Sequence, residues 1–394
     1  MIYTQFQEDK LPLLGFGAMR LPEKDGQVDM AQVEEMVAYA MENGVNYFDT
    51  AWPYHGGNSE RIMGKVLSAY PRESFRLATK YPGHMIASSY DPAAVFEEQL
   101  KKCGVEYFDY YLLHNVNEQS MDVYLDPKWG ILDYFKEQKR LGRIRHLGFS
   151  NHSRPDTLER FLDATGDAME FCQIQLNYLD WTLQDAKTKY ELLTKRGIPV
   201  WVMEPVRGGK LVNLPGSCVE EYKMRRPEES VAAWAFRFLQ GLDNVSMILS
   251  GMSNMEQLQD NVHTFAERKP LDGMEQALVF DVAEKLKMAV PCTSCRYCCD
   301  GCPMGLNIPL FMSVCTELRF ADSVNTSIII DALPEDKKPS SCLQCGLCTT
   351  ICPQGIDIPG VIRELDERLQ QIPKWADICR QREKEQNESR EQAK

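Results

Sequence analysis

Eight cysteines in the last quarter of the chain fall into two copies of one pattern. The first run is Cys292, Cys295, Cys298, Cys302-Pro303 and the second is Cys342, Cys345, Cys348, Cys352-Pro353. Each reads C-x2-C-x2-C-x3-C-P, and the copies stand fifty positions apart residue for residue. The echo continues through Gly305 and Gly355, Ile308 and Ile358, and Pro309 and Pro359. Thiols gathered this densely must close around something that binds them, and the spacing is that of [4Fe–4S] ligands. Structural zinc also uses C-x2-C pairs. It takes four tetrahedral ligands, however, and gives no reason for a third Cys two residues on or for the C-P ending. Disulfides belong to exported chains, and no secretory signature is visible. Proline after the fourth Cys ends the ligand loop and biases that Cys toward extended backbone.

The spacing resembles that of bacterial two-cluster ferredoxins, in which the fourth Cys of each run ligates the other cube. The resemblance implies Cys292, Cys295, Cys298 and Cys352 around one cluster, and Cys342, Cys345, Cys348 and Cys302 around the second. Cys299, beside Cys298, is a spare thiol or a rival ligand, and the spacing favours Cys298.

At 394 residues the chain has room for two domains, one of them large. Its formal charge of −13 argues against nucleic acid or an anionic membrane as partner, since both select basic surfaces. No run of about 18 apolar residues occurs, so no membrane span is expected. The start, MIYTQFQEDKLP, has neither a basic nor an apolar leader region. Fourteen cysteines without an export signal predict a reducing compartment, the cytoplasm.

Residues 1–265 alternate short apolar runs with amphipathic ones. Strands are predicted at Leu13–Gly17, Val45–Asp49, Phe75–Thr79, Asp109–Leu113, Arg145–Phe149, Cys172–Gln175, Pro199–Met203 and Ser246–Leu249. Helical spacing lies between them, for example over Ala31–Asn43, Ala93–Gly104, Leu132–Gly142, Leu158–Ala164, Ala186–Gly197 and Ser230–Gly241, several closing on glycine. Eight strand–helix units in about 250 residues predict an α/β fold, a (β/α)8 TIM barrel. A doubly wound open sheet is the alternative, but no G-x-G-x-x-G turn follows an early strand; Gly15-Phe16-Gly17 lacks the third glycine. Residues 266–290 read as a connecting helix, 291–373 as a small, helix-rich, ferredoxin-like domain with two clusters, and 374–394 as a charged tail. A further short helix is expected near Ser327–Leu333.

In such a barrel the chemistry sits where strands end. Asp49 ends the second strand, Tyr54 follows it, Lys80 ends the third and His114 the fourth. Singly, each has a plain structural role: a helix cap, a loop anchor, a solvated charge, a hydrogen-bonded core histidine. Four such residues at three successive strand ends are hard to assign to coincidence.

Residues 1–265 resemble an aldo-keto reductase, and the whole chain except the tail resembles the branch of that family fused to a two-cluster ferredoxin-type domain. The family's Asp–Tyr–Lys–His tetrad falls on Asp49, Tyr54, Lys80 and His114. The resemblance implies that Tyr54 protonates a carbonyl oxygen while hydride reaches the carbon. Lys80 would lower the Tyr54 pKa, Asp49 would anchor Lys80, and His114 would orient the carbonyl. It further implies a dinucleotide site. Ser150, Asn151 and Gln173 would hold the nicotinamide carboxamide, with Gly17, Met203 and Glu204 beside them. Pro205, Gly208, Gly209, Lys210 and Leu211 would lie along the pyrophosphate. Ser250, Gly251, Ser253, Gln257 and Asn261 would hold the adenosine phosphate. Two departures matter. Met203 stands where many members place an aromatic ring. Gln257 stands near where many carry an Arg for the 2′-phosphate, so NADP against NAD is open.

The expected function is an oxidoreductase interconverting a carbonyl and an alcohol with NAD(P)H, its two [4Fe–4S] clusters passing electrons to a carrier such as ferredoxin or flavodoxin. The alternative is a redox-sensing or electron-transfer subunit that uses the barrel as a nucleotide-binding dock. Hydride carries two electrons and a cluster takes one. Coupling them normally requires a flavin, which no residue pattern here declares. The loops Val116–Pro127 and Asn213–Arg226 are expected to shape the substrate pocket.

Overall fold

The computed structural model describes residues 1–374 apart from 86–88, 118–119, 287–289, 291, 293–295, 321, 323–326, 328–329, 332 and 353. Cys295, Pro353, three residues of Ser327–Leu333 (Ile328, Ile329 and Ala332) and the charged tail beyond Lys374 therefore lie outside the described residues.

Eight strands form the frame of the first unit. They are Leu14–Gly17 (β1), Tyr47–Asp49 (β2), Arg76–Tyr81 (β3), Phe108–Val116 (β4), Ile144–Asn151 (β5), Cys172–Gln175 (β6), Val200–Met203 (β7) and Val245–Ser250 (β8). Each pairs in parallel with its neighbour and β8 returns to β1, closing a barrel. The expected (β/α)8 TIM barrel is present. β3, β4 and β5 run two or three residues further than their apolar runs, because Lys80, Tyr81, Val116 and Asn151 keep pairing beyond them. Those extensions carry polar groups out to the barrel mouth.

The opposite end is closed by a hairpin, Tyr3–Phe6 against Asp9–Pro12, which apolar periodicity does not announce. Phe6 meets Trp201 edge-on at 4.9 Å. The Asp9 carboxylate accepts from Arg76 Nη2 at 2.9 Å and Tyr110 Oη at 2.8 Å. With Tyr47, Phe171 and Met247 these rings fill the barrel floor. The helix Ser59–Leu67 also escapes a sequence reading, since Gly64 interrupts it. A Cβ at Gly64 would stand 2.5 Å from the Cys103 carbonyl oxygen, so that glycine permits close helix–helix approach.

A second compact unit begins at Asp281, within the helix Gly273–Leu286. Its sequence repeat returns as a structural one. Helices Tyr297–Asp300 and Ile308–Phe320 are matched, fifty residues on, by Leu347–Ile351 and Ile358–Leu369. Gly305 (φ 58°) and Gly355 (φ 63°) both take left-handed turns. Their N–H groups donate to Cys302 and Cys352 at 2.9 and 3.1 Å. Arg319 joins the two longer helices through a forked contact with Glu364 at 2.8 and 2.5 Å. Among the described residues no helix is long and apolar enough to cross a membrane.

Candidate active site

Lys80 is the centre of the barrel mouth. Its side chain is 1% exposed, and its ammonium has three protons to place. One goes to Asp49 Oδ1 at 2.5 Å, one to the Thr50 carbonyl at 2.8 Å and one to Tyr54 Oη at 3.4 Å. Tyr54 opens a tight turn whose next three residues, His55, Gly56 and Gly57, have φ of 49°, 61° and 90°. His55 is held in that left-handed shape by accepting the Leu21 N–H on Nε2 at 3.1 Å.

His114 reaches the same place from β4. Pairing with β5 shifts between Leu113 and Val116, where Asn115 is left-handed at φ 56°. Asn115 N–H donates to Ser150 Oγ at 2.8 Å, so Ser150 braces this bulge. Tyr124 Oη bridges the carbonyls of Tyr81 (3.1 Å) and His114 (2.5 Å). The His114 and Tyr54 rings meet edge-on at 6.0 Å.

Burial is the largest single influence on the titration of every group here. It works against the Lys80 charge, but Asp49 and Tyr54 together outweigh it and the ammonium is held above its ordinary value. Burial pushes Asp49 up, opposed by Lys80. Burial also pushes Tyr54 above its ordinary value near 10, with Lys80 pulling it down and Asp49 pushing it up. The expected lowering of Tyr54 by the ammonium is thus present but outweighed. Burial, then the Lys80 charge, hold His114 well below 6.5 and therefore neutral.

The cofactor-site candidates divide. Asn151 ends β5 and Gln173 lies within the neighbouring β6, and their buried Oδ1 and Oε1 atoms have no hydrogen-bond partner in the protein. A buried amide oxygen left unpaired is unfavourable, and a carboxamide N–H would satisfy it, so these residues fit a nicotinamide. Gly17 ends β1, where a Cβ would meet the Ser250 carbonyl oxygen at 3.2 Å. Met203 ends β7 and Glu204 follows at φ 55°, with Arg207, Gly208 and Gly209 also left-handed. Leu211 is fully buried, which turns its side chain into the core. Gln257 Oε1 accepts the Ser253 N–H at 2.8 Å, and Asn261 Nδ2 donates to Ser250 Oγ at 3.0 Å. Those two side chains brace their own loop.

The strained loop after β7 has an anchor that sequence reasoning missed. Asp180 is wholly buried; its Oδ1 accepts from Arg207 Nε at 3.1 Å, and its Oδ2 from Gln175 Nε2 at 2.8 Å and Asn177 Nδ2 at 2.7 Å. Asn177 Nδ2 also donates to the Glu204 carbonyl at 3.0 Å. The available signal was Asn177 and Asp180, three apart, in the apolar stretch NYLDW straight after β6.

In the second unit the cysteines ring two cavities. One is lined by Cys302, Cys342, Cys345 and Cys348. The other is lined by Cys292, Cys298 and Cys352. Each cavity thus draws on both runs, in the grouping that cross-ligation requires, and Cys299 lines neither. Among the described residues no three Cys, His, Asp or Glu converge as single-ion ligands. Thiols around a cavity suit a multi-iron body, and the apolar walls, Ile308 common to both, suit it too.

A model of the aldo/keto reductase family matches residues 13–281. The chain belongs to the aldo/keto reductase family. A model of the 4Fe-4S dicluster domain matches residues 285–370, so this reductase carries an iron–sulfur domain that follows the barrel in sequence. It is 27% identical to L-galactose dehydrogenase of Arabidopsis thaliana, over 69% of this chain and 90% of that protein. It is 23% identical to the NADH-specific methylglyoxal reductase of Escherichia coli, over 70% and 96% of the two chains. Among solved structures, an aldo-keto reductase from Bacillus halodurans superposes with a TM-score of 0.57 at 24% identity, covering 72% of this chain and 96% of that one. That likeness concerns the fold. As a family member the chain is an NAD(P)-dependent oxidoreductase.

Proposed function

We propose that the barrel mouth reduces a small carbonyl compound to its alcohol, with Tyr54 as proton donor. The observation that carries this is the placement of all three Lys80 protons, on Asp49, Thr50 and Tyr54. A buried ammonium fixed between a carboxylate and a phenol serves little structural purpose, and it stabilises a phenolate as that phenol loses its proton. Asp49 keeps Lys80 charged and in place. Neutral His114 orients the carbonyl by a hydrogen bond. Asn151 and Gln173 hold the carboxamide of NADH or NADPH, which when bound supplies hydride to the carbonyl carbon. The strained loop from Glu204 to Gly209 gives its backbone to the pyrophosphate, steadied by Asp180.

We further propose that the two cysteine groups hold two [4Fe–4S] clusters that pass electrons singly to a carrier such as ferredoxin or flavodoxin in the cytoplasm. The shared Ile308 wall supports passage between them.

The test is aldehyde reduction with NADH and NADPH by anaerobically isolated protein, followed across pH. Reduction needs Tyr54 protonated and His114 neutral. The first is raised above 10 and the second lowered below 6.5, so kcat/KM should be flat between those values. An inflection inside that window, or no reduction with either nucleotide, contradicts the assignment.

A further inference from the structure

The two cavities of the second unit are built alike. Nearly every residue lining the Cys292 cavity has a counterpart fifty positions away lining the Cys342 cavity, Cys352 answering Cys302 and Ile356 answering Leu306. Two positions break the likeness. Arg296 on one wall answers Gly346 on the other, and Gln354 answers Met304. Arg296 is the one charged side chain among the described residues that line either cavity. It also stands where the backbone suits glycine. Arg296 has φ 68° and ψ 1°, close to the φ 77° and ψ −7° of Gly346, and each precedes a short helix. The Arg296 carbonyl accepts the Cys299 N–H at 2.8 Å, as the Gly346 carbonyl accepts that of Thr349 at 3.0 Å. A left-handed turn is unfavourable for any residue with a Cβ, and the twin copy closes the same turn with glycine. Turn geometry therefore gives no reason for an arginine here, whereas its charge beside a thiolate-lined cavity does.

We infer that Arg296 makes the two clusters inequivalent, raising the reduction potential of the one in the Cys292 cavity above that of its twin. This rests on the reading of the two cavities as [4Fe–4S] sites. Each cluster accepts one electron from a one-electron carrier, with no bond made or broken, and the thiolate-ligated site becomes one charge more negative. A nearby positive charge therefore stabilises the reduced state more than the oxidised one. The guanidinium is a fixed charge of that sign, and Gln354 adds a polar group to the same wall. At the matching positions the other cavity has a hydrogen and a thioether, Gly346 and Met304. The first electron then rests in the Cys292 cavity.

The experiment is a redox titration followed by electron paramagnetic resonance, on the full chain isolated anaerobically with its iron and sulfide counted. Two adjacent clusters repel each other's electrons, so even an equivalent pair titrates in two steps. Water at the exposed Cys345 also favours reduction of the twin, so the substitutions decide and not the bare gap. Arg296→Gly installs the twin's own turn residue and should lower the higher midpoint by about 59 mV, a tenfold change in a one-electron equilibrium. Arg296→Lys keeps the charge and should keep most of the potential. Gly346→Arg, where an added Cβ meets no described residue within 4 Å, should raise the lower midpoint by a similar amount. High salt should shrink these shifts, since Arg296 is exposed. Should Arg296→Gly fail to load iron, Gly346→Arg makes the reciprocal test. Midpoints unmoved by either substitution, a fall of the lower midpoint in Arg296→Gly, or Arg296→Lys behaving like Arg296→Gly overturns the inference. A wild type without iron and sulfide, or with clusters that take no electron, overturns the reading of the cavities itself, so the two failures are distinct.

Discussion

Tyr54→Phe is expected to lower kcat/KM for carbonyl reduction by about 10²–10⁴-fold, the usual contribution of a positioned general acid. Nicotinamide binding should persist, because the substitution removes one hydroxyl and keeps the ring. The edge contact with His114 at 6.0 Å and the Lys80 ammonium 4.9 Å from the ring centre both survive it. Lys80 loses only its longest hydrogen bond, at 3.4 Å, and keeps Asp49 and Thr50. The loss should therefore fall on the chemical step and not on folding. Steady-state rates beside a fluorescence titration of nucleotide separate the two. An unchanged rate on an authentic substrate would refute the tetrad assignment.

The second large effect is expected at the cysteines. Wild-type protein isolated without oxygen should carry about eight irons and eight sulfides, as two cubes require. Cys302→Ser and Cys342→Ser lie in different runs but line the same cavity. Each alone should bring the count to about four, and the double variant should stay near four, because both remove ligands of one cluster. Pairing within runs predicts instead that the double variant loses both. Cys299→Ser should change nothing. Iron and sulfide analysis of these five proteins decides the ligand grouping, and zinc in place of iron would refute the cluster reading.

Much of the barrel was legible because its strands are buried on both faces and read as short apolar runs between helical ones. Legibility failed where backbone or side chain does something periodicity does not encode. The floor hairpin is held by Asp9 and by Phe6 inside a ring of aromatics, contacts that come from strands far along the chain. Gly64 breaks the helical apolar pattern of its helix because it is a close-approach point. At the site, Asp49, Lys80 and His114 stood out as polar groups at the ends of apolar strands. Tyr124 and Asp180 did not, because their parts depend on neighbours from other elements. Tyr54 shows the same limit in its chemistry. A neighbouring ammonium could be read from sequence, but the burial that outweighs it could not.

The fate of the hydride decides whether the barrel mouth is the site of reduction. Reduction of a small aldehyde with NADH or NADPH carrying deuterium at C4 of the nicotinamide, each face labelled separately, followed by mass spectrometry of the alcohol, measures this in one step. Direct transfer beside Tyr54 predicts that deuterium from one face appears on the carbinol carbon, undiluted by solvent. Deuterium lost to water, or an alcohol formed without label from either face, would mean that electrons travel by another route and that the barrel mouth is not a hydride-transfer site.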